Sequence, residues 1–111
     1  MNAQHIIVLI TAKDKKEAMK IGKVLLEYIL IACSNIVEEV QSLFWWQGKI
    51  DSSKEALLIL KTKKSLFNKV VIKVRSLHSY QTPEIIALPI VNGSKAYLNW
   101  INDSVSLRGV T

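Results

Sequence analysis

The side chains of this sequence that could bind a metal or attack a substrate are few and lie far apart along the chain. His5 and His78 are the only histidines, and Cys33 is the only cysteine, among the 111 residues. Imidazole and thiolate are protein groups that bind transition metals, and a stable site normally needs several of them together. The sequence contains no glycine-rich phosphate loop, no paired-histidine metal motif and no nucleophile with a base beside it. It therefore predicts a protein that is not an enzyme.

His78 has two possible roles, which follow from its position before Pro83. Because Pro83 cannot continue a helix and pushes Thr82 toward extended geometry, the preceding helix is predicted to end near His78. A histidine at a helix C-terminus can bond a free carbonyl group and interact with the helix dipole when charged. His78 is thus either a helix cap or a metal ligand.

The remaining candidate residues have structural interpretations. Cys33 follows an alanine at a predicted helix-to-strand junction, where a free cysteine is usually a small buried hydrophobic residue. His5 is predicted to be exposed and inert. Glu84 follows Pro83 and is expected to pair with a lysine of another subunit rather than to act as a base. Aromatic residues are common both in ligand clefts between subunits and in oligomer cores, and the core is the favoured place for Trp45, Trp46, Tyr80 and Trp100.

Composition limits the partners and the location of the protein. The net charge is +6, but thirteen of the fifteen basic residues are lysines, whereas phosphate-reading sites favour arginine. We therefore expect a solvated basic surface and no nucleic-acid partner. The longest apolar runs are of strand length, so no membrane partner is expected. The single cysteine and the lack of an export signal predict a cytoplasmic protein with one domain over residues 1–111.

The apolar pattern predicts four strands. Residues 6–10 and 56–60 are continuous apolar runs, which are typical of central strands, and the strand of the second run is predicted to continue through Thr62. Residues 34–46 are extended but long for one strand, so we expect a bend or bulge, followed by a tight turn at Gln47 and Gly48 and a polar irregularity at 51–53. Trp45 and Trp46 should point to opposite faces, with one of them in the subunit's own core. Residues 84–91 contain Pro89, which predicts an edge strand.

Three helices complete the predicted order β-α-β-β-α-β plus a terminal helix. Asp14 and Glu17 form a capping box for the first helix, which is predicted to run through Ile29. Ser65 is the predicted cap of the second helix, and Ser94 caps the short third one. This order predicts an α+β, ferredoxin-like split βαβ fold, with two helices on one face of an antiparallel sheet.

Five sequence blocks, in order and at matching intervals, resemble the CutA family of divalent-cation tolerance proteins. They are residues 32–36 (ACSNI), 44–50 (FWWQGKI), 60–62 (LKT), 78–84 (HSYQTPE) and 97–101 (YLNWI). The resemblance covers the chain from Ile6 to about Ser106. It implies a cytoplasmic homotrimer whose long hairpin and edge strands complete sheets across subunits, copper binding, and a part in tolerance of metal ions. The copper-ligand positions of the family correspond to Ile10, Leu77 and His78, so His78 is the one retained metal-ligand candidate.

The leading hypothesis from the sequence is therefore a non-enzymatic, trimeric, copper-binding protein of metal-ion tolerance. One alternative is a sensor similar to the PII-type signalling proteins, which binds a small anionic ligand in clefts between subunits. Another is an assembly module without a ligand. Burial of Phe44, Trp45 and Trp46 predicts a closed trimer of three 12.5 kDa chains, because these side chains lie on a strand too long for its own sheet.

Overall fold

The structure of the protein is a computed structural model that describes residues 4–106. Its elements follow the predicted order along the chain. They are β1 (His5–Ala12), α1 (Lys15–Glu27), β2 (Cys33–Trp46), β3 (Lys49–Lys63), α2 (Phe67–Leu77), β4 (Ile85–Pro89) and α3 (Lys95–Ser104).

The four strands form one antiparallel sheet in the order β2-β3-β1-β4. The two strands with continuous apolar runs are central, and β4 with Pro89 is an edge, as predicted. Ile90 donates its backbone N–H to the His5 carbonyl at 2.9 Å. Successive residues of a strand point their backbone groups in opposite directions, so the nitrogen of Pro89 faces away from β1. Proline therefore removes no hydrogen bond from the sheet.

Both α1 and α2 pack on the same face of the sheet and enclose the core. Alternate residues of β1 and β3 are fully buried there, with helix residues such as Ile21, Leu25 and Val74 against them. Gly22 allows close approach, because a Cβ atom at this position would lie 3.0 Å from the Ser34 Oγ atom. This arrangement confirms the predicted ferredoxin-like α+β fold.

The β2–β3 hairpin extends well beyond the rest of the sheet. Pairing of β1 with β3 stops at Ala12 and Ala56, whereas the hairpin ladder continues to the turn at Gln47 and Gly48. Both turn residues have positive φ, as a two-residue hairpin loop requires. The predicted irregularity in β2 is a register shift between Val37 and Val40. The prediction of an irregularity at residues 51–53 is wrong, because β3 is continuous through these residues.

The prediction that one of the two tryptophans at the hairpin tip lies in the core of its own chain is wrong. Trp45 is 74 % exposed and Trp46 is 59 % exposed, so neither fills the core of its own chain. The reason is that both lie beyond the end of β1, where α1 and α2 provide no cover.

Two helix boundaries differ from the sequence prediction. α1 ends at Glu27 rather than Ile29, because Ile29 has a φ of +58° and Leu30 donates back to the Leu25 carbonyl. This is a left-handed helix end on a residue other than glycine. Ser65 does not cap α2, since a short 3-10 turn, Lys64–Leu66, precedes that helix. Within residues 4–106, no helix has the length and apolar character needed to cross a membrane.

The face of the sheet that points away from α1 and α2 is apolar, and we call it the open face. The residues of this face can be derived from strand alternation and register. Ile6, Val8 and Ile10 point into the core, so the residues between them point to the open face. Ile86 and Leu88 on this face are each 49 % exposed. The open face consists of Ile7, Leu9, Leu57, Ile59, Ile86 and Leu88.

Candidate functional site

A cleft of about 880 Å³ lies between the projecting hairpin and the segment that joins α2 to β4. Both strands of the hairpin contribute residues to the wall of the cleft, from between Ser42 and Trp46 in β2 and from between Asp51 and Glu55 in β3. Three carboxylates line the cleft, and none of its described lining residues is lysine or arginine. The lining residues are Thr11, Ser42, Leu43, Phe44, Trp46, Asp51, Ser52, Ser53, Glu55, Tyr80, Gln81, Thr82 and Glu84.

Glu55 and Tyr80 form the most buried polar pair of this cleft. Glu55 is only 9 % exposed, and its Oε2 atom accepts a hydrogen bond from the Tyr80 hydroxyl at 2.7 Å. Burial raises the pKa of Tyr80, and the hydrogen bond to Glu55 and the charges of Glu55, Glu17 and Asp14 raise it further. Tyr80 therefore stays protonated at neutral pH and acts as a donor to the carboxylate.

His78 lies behind the cleft with a fully buried side chain. Its Nε2 atom is 2.8 Å from the Thr11 carbonyl oxygen, and its Nδ1 atom is 3.0 Å from the Tyr80 backbone nitrogen. A carbonyl can only accept and a backbone N–H can only donate, so the ring is neutral with its proton on Nε2. Both ring nitrogens are thus occupied. His78 is the C-cap of α2, which confirms the predicted end of that helix.

Glu17 joins the start of α1 to the segment that follows α2. Its two carboxylate oxygens accept from the backbone N–H groups of Lys13 at 3.1 Å and Ser79 at 3.0 Å. Burial alone would raise the pKa of Glu17, but the hydrogen bonds from Ser79 and Lys13 lower it below its ordinary value of 4.5. The carboxylate is therefore ionised in the folded protein at neutral pH.

The lowered pKa of Glu17 predicts a specific acid sensitivity. Glu17→Gln should lower the free energy of unfolding by about 1–3 kcal/mol at pH 7, because one backbone N–H loses its acceptor. The folded pKa lies below the unfolded one, so the carboxylate stabilises the protein above about pH 4.5 and this contribution is lost as the pH falls through the folded value. The difference from the wild type should therefore shrink at pH 3. Urea unfolding at both pH values measures it, with Glu27→Gln in the same helix as the control.

Comparisons with known proteins place this architecture in one family. The family model described as the CutA1 divalent ion tolerance protein matches residues 6–104. The divalent-cation tolerance protein CutA of Archaeoglobus fulgidus is 45 % identical over 101 residues, which are 91 % of this chain and 98 % of that protein. This chain belongs to the CutA1 divalent ion tolerance family. The CutA of Thermus thermophilus is 42 % identical over 98 residues, which are 88 % of this chain and 95 % of the relative.

Solved CutA structures share the whole fold. That of the periplasmic divalent cation tolerance protein CutA from Archaeoglobus fulgidus matches with a TM-score of 0.90 at 44 % identity, covering 92 % of this chain and 99 % of the other. CutA1 from Oryza sativa matches with a TM-score of 0.91 at 36 % identity, covering 96 % and 97 %. The fold of this chain is therefore shared with both of these CutA structures.

The copper-ligand positions implied by the resemblance to CutA do not form a preformed metal site in this chain. Ile10 is fully buried in the core, and Leu77 is partly buried and packs against that core. Neither side chain has an atom that binds a metal. His78 could bind copper only if its ring first released Thr11 or Tyr80. The described residues 4–106 contain no group of three or more His, Cys, Asp or Glu side chains placed to hold one ion.

The other histidine and the cysteine lie apart from the cleft. His5 is half-buried and not inert, since its Nε2 atom donates to Asn102 Oδ1 at 2.8 Å and joins β1 to α3. Cys33 is half-buried rather than buried, and its thiol lies 3.7 Å from Asn35 Oδ1. Neither residue supplies a ligand to the cleft.

From the sequence, Glu84 was expected in an ion pair and Tyr80 in an oligomer core, and the roles of Glu55 and Glu17 were missed. Glu55 carries a signal that could have found it, because it is an acidic residue next to a continuous apolar strand run. Burial of its carboxylate then requires a partner. Glu17 was assigned only to helix capping. Its bond to Ser79, 62 residues away, has no counterpart in local spacing.

Proposed function

We propose that this protein acts as a homotrimer in tolerance of divalent cations, and that it binds the cation without catalysing a reaction. Copper is the ion that the resemblance to the family implies. The observation that carries the proposal is the charge of the cleft, where Asp51, Glu55 and Glu84 are present and no basic residue lines the described walls. A cleft with only negative charges attracts cations and repels anions. This favours a cation over the small anion that a PII-like sensor would bind.

The ligand count supports binding at a subunit boundary. One chain brings fewer than three metal-binding side chains together within residues 4–106. An ion in the cleft must therefore complete its shell with water or with groups from a neighbouring subunit. Carboxylates suit hard divalent cations, whereas copper prefers imidazole. His78 remains the proposed copper ligand, provided that its ring turns away from Thr11 or Tyr80.

Exposed apolar surface supports the homotrimer. The open face and the hairpin tip carry large apolar side chains that α1 and α2 do not cover, among them Leu88, Trp45 and Ile50. Leaving each such side chain in water forgoes about 1.5–3 kcal/mol of possible burial energy. A closed ring of identical contacts covers these surfaces and leaves no sheet edge free.

Calorimetric titration of the wild type with copper(II) and with manganese(II) tests the cation proposal. Glu55→Gln keeps the shape of the side chain and its bond to Tyr80 but removes the charge, so it should weaken binding in the cleft at least about tenfold. Glu27→Gln removes a carboxylate of α1 that does not line the cleft and should leave binding unchanged.

The same titration separates the alternatives. If copper binding is weakened in His78→Ala but not in Glu55→Gln, the ion is bound by the His78 imidazole and not by the carboxylates of the cleft. Heat from phosphate, with none from either metal ion, would contradict the proposal and support the anionic sensor.

We propose the cytoplasm as the location, because a single cysteine fits a reducing compartment. The relative from Archaeoglobus fulgidus is described as periplasmic. Cell fractionation with an antibody against this protein decides between the two compartments.

A further inference from the structure

The positive charge of the protein is concentrated on α1 and α2. These two helices contain seven basic residues and two acidic ones, a net charge of +5. The whole chain has a net charge of +6, so all other segments together contribute +1. The layer that covers one face of the sheet is thus strongly basic, while the rest of the molecule is close to neutral.

The basic side chains point outward. Ala18, Ile21, Gly22 and Leu25 form the buried face of α1, so helix geometry puts Lys16, Lys20 and Lys23 on the opposite face. On α2, the buried residues are Val70 and Val74. Ile72 lies two positions from each of them, on the outward face, and is 71 % exposed.

Most of these charges lack an acidic partner. Lys15 lies 3.8 Å from Glu38, and the ammonium of Lys73 lies over the ring of Tyr28. Among residues 4–106, no acidic group lies within 4.0 Å of the other five basic side chains on the helices. These are Lys16, Lys20, Lys23, Lys69 and Arg75.

We propose that the outward face of α1 and α2 docks on an anionic lipid surface. The expectation of no membrane partner rested on the lengths of the apolar runs, which argue against a membrane span but not against docking by charge. Clusters of four to eight basic residues bind acidic headgroups as diffuse charge, and lysine suits such a surface because it needs no fixed geometry. Ile72 and Met19, which is 52 % exposed, lie among these charges and can enter the headgroup region. The inference is independent of the cleft and of the proposed cation.

A nucleic acid fits the same surface less well. Arg75 is the only arginine on the two helices, so paired hydrogen bonds to phosphates or bases have little support. Tyr28 is an aromatic residue that could stack on a base, but Lys73 lies over its ring. The apolar side chains of Ile72 and Met19 have no function against a phosphate backbone. Lipid is therefore the partner that both the charge and the apolar residues match.

Flotation of the purified full chain with vesicles tests this proposal. The vesicles are phosphatidylcholine alone or phosphatidylcholine with phosphatidylserine, each at low and high salt. We expect binding only to the vesicles with phosphatidylserine, and its loss at high salt. The triple variant Lys16→Gln, Lys20→Gln, Lys23→Gln should bind about a hundredfold more weakly. Ile72→Ser should bind about tenfold more weakly at unchanged charge.

A charge-matched control is the triple variant Lys49→Gln, Lys54→Gln, Lys95→Gln, which removes exposed lysines outside the two helices. It should bind as the wild type does. If both triple variants bound the vesicles equally weakly, binding would depend on net charge alone, and the proposal would be overturned. The proposal also fails if no phosphatidylserine vesicle is bound at low salt, or if a single-stranded RNA oligonucleotide is bound more tightly than the vesicles.

Discussion

Leu88→Glu is expected to break the proposed trimer into smaller species. Leu88 lies on the open face beside Ile7, its partner in the β1–β4 register, and is half-exposed in the single chain. If a neighbouring subunit covers this face, the new carboxylate is buried without a partner, which costs several kcal/mol per subunit, on the order of the figures for a broken buried ion pair. A trimer would bear this cost in each of its three subunits. Sedimentation velocity measures the change in mass.

Ile72→Glu is the matched control for this experiment. Ile72 is more exposed than Leu88 but lies on the outward face of α2, away from the open face. It should leave the mass of the assembly unchanged. A Leu88→Glu protein that keeps the mass and stability of the wild type would exclude the open face from the interface. A folded wild-type monomer at micromolar concentration would refute the trimer itself.

His78→Ala should destabilise the fold by about 3 kcal/mol or more. The side chain is fully buried, and truncation leaves a cavity together with an unpaired Thr11 carbonyl and an unpaired Tyr80 N–H. Chemical unfolding at neutral pH, in the presence of a chelator, measures this structural contribution. His5→Ala is the control, and it should cost only about 1 kcal/mol because His5 is half-buried and makes one side-chain hydrogen bond.

The same pair of variants tests the role of His78 toward copper. A ligand that binds the folded state raises its stability with concentration. If His78 binds copper, added copper should stabilise the wild type and His5→Ala but not His78→Ala. Equal stabilisation of all three proteins would leave His78 a purely structural residue. A loss of stability below 1 kcal/mol in His78→Ala would contradict the buried hydrogen bonds described above.

Local features of the sequence were enough to predict the elements and their places in the sheet. The apolar runs of β1 and β3 favour strands with a neighbouring strand on each side, so they lie at the centre of the sheet, and Pro89 restricts its strand to an edge. Asp14 caps α1 through a bond to the Glu17 backbone N–H three residues away. Each of these signals comes from residues that are close together in the sequence, which is why they can be identified without a structure. The end of α1 was missed because Ile29 adopts positive φ against its own preference.

The tertiary structure alone decided the chemistry of the candidate site. The pair formed by Glu55 and Tyr80 joins residues 25 positions apart, and the bond between His78 and the Thr11 carbonyl spans 67 positions. Such contacts depend on strand register, where a shift of one residue moves every side chain to the other face. From the sequence, His78 could be either a cap or a ligand. Only the packing of β1 against the segment after α2 occupies both of its nitrogens, because it brings a carbonyl and a backbone N–H to opposite sides of the ring.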